Sequence, residues 1–107
     1  MVPLADALAL TATGEGRLSA TITPGWDVRG IPHGGFLLAL VAKAGAHVVA
    51  QPDPLSVSAS YLAPPAFGPA ELTITPVRLG KRQSTVVVDL SQEGLTRVHA
   101  TVTFGTI

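Results

Sequence analysis

Residues 35–49 carry Phe36, Leu37, Leu38, Leu40, Val41, Val48 and Val49 with alanines between them. Only Lys43 and His47 are strongly polar, and four residues apart they share one helical face. Glycines lead into the segment. Gln51-Pro52-Asp53-Pro54 closes it, because proline cannot continue a helix and restricts the residue before it. A helix that is apolar almost all round has to be buried. Whatever this chain folds into must therefore wrap this segment.

The rest of the chain supplies the wrapping. Residues 4–12 and 17–24 read as strands around a Gly14-Glu15-Gly16 turn, and Leu18, Ala20 and Ile22 alternate with Ser19, Thr21 and Thr23. Residues 25–34 read as a loop holding Gly30, Pro32 and Gly34. Beyond the helix, residues 55–62 alternate, with Val57, Ala59 and Tyr61 on one face and Ser56, Ser58 and Ser60 on the other. Residues 70–79 place Leu72 and Ile74 on one face, then Pro76 breaks the ladder and the apolar phase slips to Val77 and Leu79. A bulge at Pro76 accounts for both. Gly80-Lys81 turns the chain into residues 84–92, with Val86, Val88 and Leu90 inward, and residues 96–104 follow with Val98, Ala100, Val102 and Phe104 inward. For these two sets to share a face, residue 92 must stand opposite residue 96, leaving Glu93-Gly94-Leu95 as the turn. Asp89 and His99 then face each other on the outer surface. The expected order is β-β-α-β-β-β-β. This is an α+β domain spanning residues 1–107, with one long helix wrapped by an antiparallel sheet of five to six strands.

Composition narrows the function. Hydrophobic residues make up 47% and charged residues 13%, which is rich for a lone monomer and points to apolar surface covered by a second copy. A formal net charge of zero offers no field for a nucleic-acid backbone. The absence of cysteine removes disulfides, thiolate metal sites and cysteine nucleophiles, and fits a cytoplasmic protein. Met1-Val2-Pro3-Leu4 lacks the basic region of a signal peptide and reads as a mature start. Lys43 stops the longest apolar run far short of a membrane span. His33, His47 and His99 form no metal-ligand spacing, and Ser56, Ser58 and Ser60 lack the Gly-x-Ser-x-Gly context of a serine nucleophile.

The chemistry concentrates in Trp26-Asp27-Val28-Arg29-Gly30-Ile31-Pro32-His33-Gly34-Gly35-Phe36, where glycines feed directly into the buried helix. The first amides of a helix lack internal partners and sit at the positive end of its dipole. Glycine lets a ligand oxygen approach them, which suits an oxyanion hole for a thioester carbonyl. Asp27 stands seven residues before Gly34, within reach of a returning loop, and can act as nucleophile or as a base for water. His33 can orient the substrate. The same residues also fit a plain tight turn with a capping aspartate, and spacing alone leaves both readings open.

Ile31-Pro32-His33-Gly34-Gly35-Phe36-Leu37 resembles the helix-start signature of hotdog-fold thioesterases. Pro52 to Val57, Tyr61-Leu62-Ala63-Pro64, Gly80 to Thr85, Leu90 to Gly94 and Ala100 to Gly105 resemble the N-terminal hotdog of double-hotdog, thioesterase II-like acyl-CoA thioesterases. The resemblance covers nearly the whole chain. It implies hydrolysis of acyl-CoA or acyl-carrier thioesters, a place in fatty acid metabolism, no cofactor beyond the CoA of the substrate, and a homodimer or a dimer of dimers.

The chain also departs from that family. The helix acid of the His-Gly-Gly type is replaced by Ala42, with Leu40 and Lys43 beside it. Ala42, Leu55 and Thr103 stand near the positions of the Asp, Thr and Gln set of the double-hotdog enzymes. Asp27-Val28-Arg29-Gly30-Ile31 instead is similar to the Asp-x-x-Gly-Ile segment of hydroxybenzoyl-CoA thioesterases. That resemblance implies Asp27 as the acid and the Gly34 amide as the carbonyl-polarising donor, with His33 assisting. Gly35, Phe36, Leu37 and Tyr61 are the expected substrate-binding residues. A non-catalytic hotdog that binds acyl-CoA or pairs with a catalytic half is the alternative. An enoyl-thioester hydratase is weaker, because the position five after His33 is Leu38.

Overall fold

The computed structural model describes residues 4–23, 27–28, 31–32 and 34–107, excepting the side chains of residues 4, 5, 27, 28, 31 and 32. In chain order the elements are α1 (Leu4–Ala7), β1 (Thr11–Gly14), β2 (Arg17–Ile22), β3 (Asp27–Val28), β4 (Ile31–Pro32), α2 (Gly34–Gly45), β5 (Asp53–Tyr61), β6 (Gly68–Leu79), β7 (Ser84–Gln92) and β8 (Leu95–Gly105). Six strands form one antiparallel sheet in the order β1-β2-β6-β7-β8-β5, while β3 and β4 pair with each other.

The core lies between α2 and the inner face of the sheet. Leu40, Val41 and Ala44 of α2 have no exposed surface, and neither do Leu72, Val86, Val88, Leu90, Val98, Ala100, Val102 and Phe104 of β6, β7 and β8. Alternation with β-branched residues drives the central strands: in β7 every second residue from Ser84 to Gln92 is buried. The hotdog arrangement expected from the sequence is the observed one.

Several boundaries differ from the sequence reading. Residues 4–7 form a short helix, not the start of a strand, and Ala7 is buried in the core. Leu and Ala are strong helix formers, and their alternation over residues 4–10 mimics a strand only in polarity. α2 ends at Gly45, before Val49. There the chain tightens into turns, with the His47 amide donating to the Ala44 carbonyl and the Val48 amide to the Gly45 carbonyl. The bulge is where Pro76 places it, between Pro76 and Arg78. Past it Leu79 stands opposite buried Ser84, but Val77 and Leu79 remain exposed. The β7–β8 turn is Glu93-Gly94, both at positive φ, with Gln92 opposite Leu95. An irregularity between Leu90 and Ser91 restores the expected register, so Leu90 meets Val98 and Asp89 meets His99.

Candidate active site

Residues 27–28 and 31–32 pair as a two-stranded ribbon. Its register pairs Asp27 with Pro32 and Val28 with Ile31. The main chain of Asp27 is thereby held beside a residue two positions before Gly34, the first residue of α2. The Asp27 side chain and His33 lie outside the described residues.

Gly34 is half-buried and walls a pocket of about 350 Å³ with Leu37, Tyr61, Leu62, Ala63, Pro64 and Pro65. The Tyr61 hydroxyl donates to the Gly34 carbonyl at 2.9 Å. That bond ties the end of β5 to the first turn of α2 and fixes the peptide that opens the helix. Burial raises the Tyr61 hydroxyl above its ordinary pKa of 10.0, because the phenolate is poorly solvated there. Leu62 and Ala63 donate their amides to the Arg97 carbonyl at 2.8 and 3.2 Å, which holds the far wall on β8. The pocket is therefore mostly apolar, with a helix start at one side and a protonated hydroxyl beside it. Such a shape can take an apolar chain beside the helix start.

Of the residues expected from the sequence, Gly34, Leu37 and Tyr61 come together at this pocket. Phe36 is turned into the core cluster at 5% exposure. Gly35 is exposed, and both Gly35 and Phe36 have interaction partners within the chain. Leu62, Ala63, Pro64 and Pro65 were not expected as lining; their one sequence signal is that a proline-rich turn directly follows Tyr61. Elsewhere, Asp89 and His99 pair through Oδ1 and Nδ1 on the outer face, away from Gly34. Lys43 donates from Nζ to the Leu8 carbonyl at 2.8 Å, so the wet side of α2 carries the N-terminal segment. No helix among the described residues is long and apolar enough to cross a membrane.

Residues 22–105 match the family of the acyl-CoA thioesterase N-terminal domain. The chain belongs to that family. Uncharacterized proteins of Mycobacterium bovis and Mycobacterium tuberculosis are 41% identical to it over 86 residues, 75% of this chain and 30% of theirs. The chain thus spans about a third of the length of these relatives. Among solved structures, a protein assigned as a thioesterase II from Thermobifida fusca superposes with a TM-score of 0.94 at 25% identity, over 97% of this chain and 39% of that one. A hot dog fold protein from Alicyclobacillus acidocaldarius gives a TM-score of 0.88 at 24% identity, over 97% and 39% of the two chains. This acyl-CoA thioesterase N-terminal domain is therefore a hotdog by fold as well as by family.

Proposed function

We propose that this chain hydrolyses an acyl thioester, carried on CoA or on an acyl-carrier protein, and works as a homodimer or a larger assembly. The observation that carries the reading is the apolar pocket opening at Gly34, where α2 begins. A thioester carbonyl seated there meets the positive end of the helix.

In the proposed reaction the Asp27 carboxylate takes a proton from water as the hydroxide oxygen adds to the carbonyl carbon. The carbonyl oxygen receives the displaced electron pair and accepts a hydrogen bond from the Gly34 amide, with His33 assisting. When the C=O double bond reforms, the C–S bond breaks. The thiolate takes the proton from Asp27, giving a carboxylic acid and a free thiol. Tyr61 and Leu37 face the acyl chain, and the chemistry draws on water and the protein's own groups alone. Purified protein supplied with acyl-CoAs of graded length should release thiol. Asp27→Asn should cut kcat by about a hundredfold or more, in the range of a lost general base. Full activity in that variant would remove Asp27 from the mechanism.

One observation favours a second reading, a binding domain without turnover. The helix offers no acid at the expected position: Ala42 stands there, Leu40 is fully buried, and Lys43 is committed to the Leu8 carbonyl. On that reading acyl-CoA binds, no thiol appears, and Asp27→Asn leaves affinity unchanged.

A further inference from the structure

A second cleft lies at the β6–β7 hairpin. About 620 Å³ in volume, it is lined by Arg78, Gly80, Lys81, Arg82, Gln83 and Thr85. Three of the chain's seven Lys and Arg residues line it, and no Asp or Glu does. Among the described residues, none of these three side chains is in an ion pair or hydrogen bond. Like charges gathered without neutralising partners repel one another and raise the local positive potential. In a chain of zero net charge, Arg78, Lys81 and Arg82 concentrate positive charge at this one cleft.

The backbone beneath the cluster is built to hold it. Buried Gln51, at 7% exposure, donates from Nε2 to the Gly80 carbonyl at 2.8 Å and to the Lys81 carbonyl at 3.2 Å. Both carbonyl oxygens, whose dipoles would repel an anion in the cleft, are thereby turned inward. The Gly80 amide donates to the Gln83 carbonyl at 3.1 Å and to the Ser84 hydroxyl at 3.2 Å, closing the turn. A Cβ at residue 80 would stand 2.4 Å from the Gln83 carbonyl oxygen, so only glycine permits this closure. The cleft is also distinct from the Gly34 pocket. Gly45, at the other end of α2, packs on Phe104 and Val86, and Phe104 pairs with Ser84 at the base of the hairpin. A helix of 12 residues separates the two ends by about 18 Å.

We propose that the β6–β7 hairpin cleft is a binding site for a phosphate monoester or diphosphate group. Two guanidinium forks and an ammonium match the charge and the oxygen geometry of that group better than those of a single carboxylate. The phosphate can belong to the nucleotide end of a CoA thioester or arrive as free phosphate. The site does not depend on thioester hydrolysis and stands if Asp27 proves idle.

The test is a titration of the full chain with sodium phosphate, 3′,5′-ADP, CoA and pantetheine, followed by the amide resonances of residues 78–85 at about 0.15 M salt. Phosphate-bearing ligands should shift those resonances, with affinity falling as salt rises, and pantetheine should not. A CoA and 3′,5′-ADP affinity at least tenfold above that of inorganic phosphate assigns the site to a nucleotide; equal affinities assign it to free phosphate. Arg78→Ala, Lys81→Ala and Arg82→Ala together should weaken binding by at least tenfold. Lys81→Gln alone, which leaves both guanidiniums in place, should weaken it a few-fold. No shift with any phosphate ligand, or equal binding by wild type and both variants, would overturn the site. Thiol release is not read here, so failure of the hydrolase reading and failure of this one remain distinguishable.

Discussion

At the scale of single residues, the candidate site turns on two contacts around Gly34. A methyl at that position would stand 3.4 Å from the Tyr61 hydroxyl, an ordinary van der Waals distance, so Gly34→Ala should fold. The methyl would occupy the pocket wall where a carbonyl oxygen is proposed to approach. Thiol release should then fall by about ten- to a thousandfold with little change in thermal midpoint, a cost comparable to losing one oxyanion donor. An unchanged rate would move the reacting carbonyl elsewhere. Tyr61→Phe removes the donor to the Gly34 carbonyl and should cost about 1 kcal/mol of stability or less, since Tyr61 is half exposed. The pH dependence has a definite sign. Burial favours the neutral phenol, so the folded-state pKa lies above the unfolded value near 10.0. The stabilisation is fully present below that value and is lost as pH climbs through the folded pKa. Melting curves of wild type and Tyr61→Phe should therefore converge above about pH 10 and stay parallel below about pH 9.

At the scale of elements, the helix and the central strands were the legible part. β8 announces itself through strict alternation of Val, Ala and Phe with polar residues, and β7 through the same pattern broken only at Val87. Pro76 announces a bulge because it cannot donate to the ladder. The segments that misled are those where one pattern serves two structures. Leu and Ala in residues 4–10 satisfy a strand in polarity and a helix in propensity, and only packing decides between them. The apolar run to Val49 continues past Gly45, the last residue of α2, so polarity does not mark the helix end. A Cβ there would meet Phe104 and Val86 at 3.0 and 3.1 Å. Gly45→Ala gains about 1 kcal/mol of helix propensity but overpacks the core by about 1–3 kcal/mol. A net loss of stability in chemical denaturation is expected, larger still for Leu40→Ala, about 2–5 kcal/mol at a fully buried position. The site was legible only where glycine spacing fixes the backbone. Leu62 to Pro65 carry no period, so nothing in the sequence places them against Gly34.

At the scale of the molecule, the two edges of the sheet are unequal. β1 is four residues long, whereas β5 runs nine residues along the other edge. An edge of that length usually carries lysines, a central proline or a covering element. β5 instead has a proline only near its start and presents Ser56, Ser58 and Ser60 outward, with Leu55, Tyr61 and Leu62 exposed around it. Such an edge is a template for another strand. Antiparallel pairing of β5 with β5 of a second copy would satisfy both rows of backbone groups and cover the exposed Leu55, Tyr61 and Leu62 at once. The Gly34 pocket, whose wall includes Tyr61 and Leu62, would then lie against the seam. Ser58→Lys with Ser60→Lys leaves the inner face untouched, because both serines are exposed opposite Thr101 and His99. Two copies would bring four ammonium groups together across the seam, and like charges on adjacent strands are destabilising. Sedimentation should show wild type as a dimer or larger and the double variant at about half that mass, with the fold intact by circular dichroism. A wild type that sediments as a monomer at every concentration would leave β5 an open edge and the pocket complete within one chain.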